Sequence, residues 1–542
     1  MGWFYGPRRE RRCGERHTLH LPHRSPTRTT VEDVTPPFVA LRETHTSVLF
    51  FVGDRVHKMK KPLDLGFLDN RDRATREAAC HREVALNRRL APDVYLGVAD
   101  VSGPDGRPCE HLVEMRRLPD ERRLSTVLDR ADPPVDVVDA LDDVARQVAR
   151  LHAEAATGGE VDRCAEREAF ARLWDLSLDH LDRLDAPDDG CRPLGAARLL
   201  AAIRDAARQF LHGRAALFEA RIAAGRARDG HGDLLADDIF CLDDGARIID
   251  CLEFDDELRF GDVFLDIAFL AMDLERAGRP DLARTLLVRY RALTGDECPP
   301  ALIHHFVAYR ATVRAKVAAL RFGQGDADSR DTALALLDQA RNNLRRGTIR
   351  LVTVGGLSGS GKTVTAATIG AFLSAPVLRS DVIRKESAGL DPLVDAASPP
   401  GEGLYSRERT EATYAAMLAR AEETLTLGRS VVLDASWLSA RDRARAADLA
   451  ARVGAEFVEI ECAADRDVRI RRVLERRAAG TDASDATPDV LSAQESTRDE
   501  WPSATVLDTT AGGPAPDQWL DRTVGPAPWP IDPSSPPSTR GA

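Results

Sequence analysis

An apolar run, Ser47-Val-Leu-Phe-Phe-Val52, and an alternating one, Arg55-Val-His-Lys-Met-Lys60, flank Gly53-Asp54. That pattern predicts a β-hairpin with a tight turn. Period two puts Lys58 and Lys60 on one face of the second strand. A charged stretch over roughly 71–90, carrying Glu77 and Glu83, predicts a helix, and Val94-Tyr-Leu-Gly-Val-Ala-Asp-Val101 and His111-Leu-Val-Glu-Met115 predict further strands. From about 135 to 225 the chain is rich in Ala, Leu and Arg with a helical period. A loop, His231-Gly-Asp-Leu-Leu-Ala-Asp-Asp-Ile-Phe240, then leads to a short strand ending at Asp250, and helices resume to about 345 with a polar break at 323–330. Beyond that point the pattern changes: strands at 349–354, 376–379, 430–434, 456–461 and 504–507 alternate with helices, the signature of a parallel sheet covered on both faces. The expected organisation is a disordered basic tail (1–30), an α+β domain (31–345), an α/β domain (346–525) and a Pro/Ser-rich disordered tail (526–542).

Composition narrows the classes. The chain has 542 residues, 43% hydrophobic and 30% charged, enough for two or three domains with their own cores. No apolar run reaches the length of a membrane span. The net charge of −12 argues against broad nucleic-acid binding, although residues 1–30 hold seven Arg against two Glu. Nine cysteines without C-x-x-C pairs or zinc spacing predict free thiols and a cytoplasmic protein. Lysine is scarce: Lys58, Lys60, Lys61, Lys316, Lys362 and Lys385 are the only six among 75 basic residues. A lysine retained in so Arg-rich a chain suits a site that needs a compact point charge.

The chemistry is most legible at 356–363, where Gly-Leu-Ser-Gly-Ser-Gly-Lys-Thr fits G-x-x-x-x-G-K-[ST] between a predicted strand and a predicted helix. In such a loop, backbone amides cradle phosphates, a lysine reaches the β and γ oxygens, and a hydroxyl takes Mg²⁺. Gly356, Ser358, Gly359, Ser360, Gly361 and Lys362 are therefore candidate ATP contacts, with Thr363 on the metal. Asp434 closes the strand Val431-Val-Leu-Asp434 and suits the Mg²⁺ shell. Ligands bind beyond the carboxyl ends of parallel strands, so Asp381, in Ser380-Asp-Val-Ile-Arg384, can take an acceptor proton and Arg384 can grip the acceptor. Arg472 and Arg476 lie on one helix face. The set resembles the gluconate-kinase, polynucleotide-kinase and zeta-toxin group, in which lid arginines neutralise the phosphoryl group in transfer. Nothing resembles the sensor motifs of AAA+ machines.

The earlier half carries a second set. His231-Gly-Asp233, Asp238 five residues on, and Asp250 at a strand end resemble the aminoglycoside-phosphotransferase branch of the protein-kinase-like fold. The resemblance implies Asp233 as catalytic base, Asp238 and Asp250 as metal ligands, and Asp266 as the brace of the loop. It also implies a strand lysine, Lys58 in preference to Lys60, paired with Glu83 at the ATP phosphates. Asp238 departs from the family's Asn, and no Gly-rich loop precedes the lysine. Taken whole, the chain resembles bacterial two-part proteins joining an aminoglycoside-phosphotransferase-like domain to a P-loop kinase domain, some of them labelled AAA family ATPases. A cytoplasmic ATP- and Mg²⁺-dependent phosphotransferase acting on a small-molecule hydroxyl is the expectation. Two alternatives stay open: the first half is a nucleotide-sensing pseudokinase that regulates the second, or the second half is a 5′-hydroxyl polynucleotide kinase.

Overall fold

The computed structural model describes residues 39–44, 46–64, 69–186, 193–394, 402–479, 482–513 and 515–529. The basic segment 1–30 and residues 530–542 lie outside them. Two compact units result. One holds the described residues up to Asp120 together with Arg247–Asp255, and the other Glu121–Ala246 with the chain from Asp256 onward.

The first unit is built on a five-stranded antiparallel sheet in the order Val39–Glu43, Ser47–Val52, Arg55–Lys60, Pro108–Arg116, Tyr95–Ser102. Its edge strand, Val39–Glu43, was not expected: Val39 and Leu41 are exposed, so no buried face writes an alternation there. The charged helix is Arg73–Asn87, started by Asp72, whose side chain accepts the Ala74 N–H at 2.7 Å. Arg76, Cys80, Glu83, Val84 and Asn87 are its buried residues, and Cys80 and Val84 join Val56, Tyr95, Val113 and Met115 in one core.

The second unit begins as a helical body. Val137–Glu154, Arg167–Asp185 and Ala197–Leu211 are followed, after the 231–240 loop, by Val263–Arg276, Pro280–Thr294, Pro300–Gly323 and Ser329–Arg346. Pro280 and Pro300 open their helices, where a missing N–H costs nothing. Val263–Arg276 is buried along most of its length and carries Asp266 and Asp273 inward. The polar break at 323–330 is the turn between the last two helices.

The same unit continues into a five-stranded, all-parallel sheet in the order Val377–Arg379, Val431–Asp434, Arg350–Gly355, Glu456–Ala463, Thr505–Asp508. Each expected strand is present within a residue or two. The helix Lys362–Leu373 follows the central strand, and Val352, Val354, Ile369, Val432 and Ile460 pack between them. Helical body and sheet share an interface: buried Arg214 donates to the Val453 carbonyl at 2.6 Å, and a Cβ on Gly213 would stand 2.8 Å from that oxygen. The tail expected from 526 needs correction over its first residues. Pro526 O accepts from Arg350 at 3.4 Å, the Trp529 N–H donates to His304 Nε2 at 3.0 Å, and the Trp529 ring lies 4.7 Å from the His304 ring. An aromatic side chain with a packed partner holds this piece of chain in place. Among the described residues no helix is long and apolar enough to cross a membrane.

Candidate active sites

In the first unit, sheet and helix bring together what the sequence separates. Lys58 Nζ stands 2.8 Å from Glu83 Oε1 and 2.7 Å from Asp250 Oδ1. The choice between Lys58 and Lys60 resolves into both, because Lys60 Nζ lies 2.6 Å from Glu83 Oε2 and also pairs with Glu253. Period two made this possible: both ammoniums leave the same face of Arg55–Lys60. Burial alone would lower the Lys58 pKa, but Asp250 and Glu83 hold it well above the ordinary lysine value. Glu83 is fully buried, which by itself raises its pKa; Lys58 and Lys60 nonetheless hold it below the ordinary carboxylate value. Asp250 sits at φ 63°, in the left-handed region, with its N–H donated to the Tyr95 hydroxyl at 3.1 Å. Glu253 was missed from the sequence, since nothing local marks it.

In the second unit, the His231-Gly-Asp233 loop is fastened as expected. Asp266 accepts the His231 N–H at 2.7 Å on Oδ2 and the Gly232 N–H at 2.8 Å on Oδ1. His152 Nε2 meets Asp266 at 3.0 Å while its Nδ1 meets the Tyr290 hydroxyl at 2.7 Å. Although Asp266 is buried, the His152 hydrogen bond and charge hold its pKa far below the ordinary value. Asp233 follows this brace, half-buried; burial holds the Arg310 pKa below its ordinary value, and the Asp233 charge is among those that oppose the shift. Asp238 closes the single turn Ala236–Asp238, with its N–H on Leu235 O.

The phosphate loop has the backbone its glycines promised. Gly356, Gly359 and Gly361 adopt φ 132°, 81° and 85°. A Cβ on Gly356 would collide with Cys462 O, and one on Gly359 with Arg469 O. Buried Ser358 donates its N–H to Gln494 Oε1 at 2.9 Å, and the Ser360 Oγ is buried without a hydrogen-bond partner. Asp434, 3% exposed, has Arg379 Nε 3.4 Å from Oδ2 and no hydrogen bond on Oδ1. Burial raises its pKa, while Lys362, Thr363 and Arg379 pull the other way.

Toward the acceptor side, Asp381 occupies the first turn of Ser380–Ser387. Arg384, one turn on, is more committed than the sequence suggests. Its Nη1 donates to Leu404 O (3.1 Å) and Thr410 Oγ1 (3.2 Å), its guanidinium lies 4.8 Å from the Tyr405 ring, and Nε has no partner. Tyr405 donates to Asp485, which also takes buried Lys385 at 2.9 Å; Lys385 thus repays the attention its rarity attracted. Arg472 and Arg476 diverge. Arg476 has Nε and Nη2 buried without hydrogen-bond partners; against burial, the Ser484 N–H, Arg379 and then the Arg476 charge hold the Asp482 pKa below the ordinary value. Arg472 donates instead to the carbonyls of Gly359, Thr509 and Thr510. Thr509 and Arg379 were invisible in the sequence, because no motif spacing includes them.

Cradle glycines that tolerate no side chain, an unsatisfied carboxylate oxygen beside Lys362 and Thr363, and unpaired guanidinium nitrogens suit a nucleotide phosphate chain with Mg²⁺. Among the described residues no three His, Cys, Asp or Glu side chains gather as a metal cage. Mg²⁺ ordinarily takes one or two carboxylates and completes its shell with phosphates and water. The lysine–glutamate pair on an antiparallel sheet and the braced H-G-D loop belong to a protein-kinase-like fold, and the cradle before the parallel sheet's helix to a P-loop fold.

A family profile described as AAA domain matches residues 351–501. A Mycobacterium tuberculosis (strain ATCC 25618 / H37Rv) protein, "Uncharacterized protein Rv2004c", is 39% identical over 495 residues, 91% of this chain and 95% of its own length. Mycobacterium bovis "Uncharacterized protein Mb2027c" matches with the same figures. Among solved structures, a choline/ethanolamine kinase family protein from Mesorhizobium loti is 17% identical, covers 57% of this chain and 88% of its own, and has a TM-score of 0.36. A gluconokinase from Sinorhizobium meliloti 1021 is 19% identical over 32% of this chain and 86% of its own, with a TM-score of 0.22.

Proposed function

The chain belongs to the same family as the mycobacterial proteins it matches over 91% of its length, and from its two phosphate-handling sites we propose an ATP- and Mg²⁺-dependent phosphotransferase acting on a small-molecule hydroxyl. One observation carries this reading: Asp434, buried at a strand end beside Lys362 and Thr363, keeps a carboxylate oxygen that no protein group satisfies. A buried, unsatisfied carboxylate costs several kcal/mol unless a cation completes it. Thr363 and Asp434 would hold Mg²⁺, which neutralises charge on the phosphates when bound. Lys362 and the loop amides hold the phosphate chain, Arg476 faces the group in transfer, and Asp381 accepts the proton that the acceptor hydroxyl loses as its oxygen bonds the γ-phosphorus and the bond from that phosphorus to the bridging oxygen breaks, releasing ADP.

In the first unit Lys58 and Glu83 serve a nucleotide and Asp250 its metal; in the second unit the H-G-D loop offers Asp233 as base and Asp238 as a metal ligand. A second reading gives the first unit's site a sensing role without turnover. It is favoured by Asp250, whose carboxylate is already engaged by Lys58 at 2.7 Å. The thiols of Cys80, Cys241, Cys298 and Cys462, buried and in no disulfide, support a cytoplasmic setting.

The test is acceptor-dependent ADP release by the full chain, screened over sugars, nucleosides and aminoglycosides. The full chain is required because buried Arg214 of the helical body donates to the Val453 carbonyl, just ahead of the strand Glu456–Ala463. Turnover lost in Lys362→Ala assigns the reaction to the phosphate loop, and turnover lost in Asp233→Asn assigns it to the H-G-D loop. Mg·ATP binding without turnover on any acceptor class would overturn the transferase reading, and binding that survives both lysine substitutions, Lys58→Ala and Lys362→Ala, would overturn the sites.

A further inference from the structure

The loop's glycines explain how it can bend, but not what holds its peptide planes in one orientation. We infer that Thr509 and Arg472 form a clasp behind the phosphate loop, making them positioning residues for nucleotide binding; this rests on the loop being a nucleotide site. Thr509 lies just past the last strand, Thr505–Asp508, and outside residues 351–501. Its Oγ1 donates to Ser360 O at 2.5 Å, and Ala463 O lies 3.1 Å away. Its backbone N–H is tied to Ala463 O at 2.8 Å, which anchors the residue to the sheet. Arg472 completes the clasp: Nη1 reaches Gly359 O at 3.3 Å and Thr509 Oγ1 at 3.4 Å, and Nη2 reaches Thr509 O at 2.7 Å.

The consequence follows from peptide geometry. A trans peptide is planar, so its C=O and the next residue's N–H point in opposite directions. With Ser360 O held by Thr509, the Gly361 N–H is aimed away from Thr509, and among the described residues it donates to no backbone acceptor. The neighbouring Ser360 N–H is used inside the loop, on Leu357 O at 3.1 Å. Gly361 itself permits the close approach: at φ 85°, a Cβ there would stand 3.2 Å from Thr509 Oγ1. Arg472 forms no ion pair with a carboxylate among the described residues, so its charge adds to the positive potential of the cradle. One hydroxyl and one forked guanidinium thus fix an amide donor and a cation for a phosphate.

The experiment is calorimetric titration of the full chain with Mg·ADP, in which the isotherm lost in Lys362→Ala belongs to the loop. Thr509→Val is expected to weaken that isotherm about tenfold, the scale of one misdirected hydrogen bond to a charged group. Thr509→Ser, which keeps the hydroxyl, is expected to stay within about twofold of wild type, because one retained hydrogen bond is the whole difference. Arg472→Lys keeps charge but cannot fork, so it falls between the two. Thermal melting of Thr509→Val and Thr509→Ser is expected to coincide. Equal ADP affinity in wild type and Thr509→Val, or no recovery in Thr509→Ser, overturns the clasp. A wild type with no Lys362-dependent ADP binding overturns the nucleotide reading of the loop, and the clasp with it.

Discussion

The two lysine sites solve the same electrostatic problem in opposite ways. In the first unit, Lys58 and Lys60 divide Glu83 between them, and Asp250 and Glu253 take their remaining reach. The charges neutralise one another inside the protein. At the phosphate loop, Lys362 has no carboxylate within ion-pair distance among the described residues, and Asp434 and Arg476 keep buried atoms unpaired. A ligand entering the first site must exchange existing ion pairs for new ones; a ligand entering the second completes groups the fold leaves unsatisfied. The first arrangement protects stability and the second stores binding capacity.

The largest expected break in this contrast is in stability. Lys60→Met leaves fully buried Glu83 with half its compensation, and removing one member of a buried pair costs about 3–5 kcal/mol. Lys362→Met, which removes a half-buried cation with no ion pair, is expected to change stability by no more than about 0.5 kcal/mol. Chemical denaturation of both variants checks the difference. Equal losses would mean that the first site is no more self-neutralised than the second.

Next comes catalysis. Asp381→Asn is expected to lower acceptor-dependent turnover by about 10²-fold or more while leaving ATP affinity intact, the scale of a lost general base. Steady-state rates and nucleotide titration separate the two. If Asp381→Asn destroys affinity while Asp434→Asn spares it at every Mg²⁺ concentration, the base and the metal carboxylate have been exchanged.

Acid sharpens the comparison between units. Burial lowers the His304 pKa to about 4 and the His305 pKa to about 3. Both are depressed below the ordinary imidazole value, so the unfolded chain takes protons first as pH falls. The second unit loses about 1.4 kcal/mol per pH unit for each histidine, starting near the ordinary value of about 6.5 and levelling off below the folded values. Glu83, with its depressed pKa, contributes stability to the first unit above the ordinary carboxylate value and loses it only as pH falls through the folded one. Following unfolding of each unit against pH tests this. His305→Gln, which keeps an acceptor for the Trp174 indole N–H, is expected to flatten the second unit's slope. An unchanged slope would remove His305 from the account.

The smallest effect is expected at Asp238. Asp238→Asn keeps an oxygen and is expected to change Mg²⁺-dependent nucleotide affinity by less than about twofold, whereas Asp238→Ala removes that oxygen and is expected to weaken it. Identical titrations for wild type and both variants would make Asp238 an ordinary loop charge.

The phosphate loop, the alternation of strands and helices after 349 and the H-G-D loop were legible in the chain because each depends on neighbours a few residues apart. A glycine that must reach φ 81° or 132° announces itself wherever it stands, and a buried parallel strand must be apolar on both faces. The partners of the charges were decided only in three dimensions. Lys58 meets Asp250 across 192 positions, and Thr509 meets Ser360 across 149. Lys60 and Glu253 became part of the first site because a strand face and a returning loop converge on one helix carboxylate. Arg472 shows the reason most plainly. Helical spacing aligned it with Arg476, but a guanidinium offers five donors to whatever acceptors surround it, and the fold brought the carbonyls of Gly359 and Thr509 within its reach.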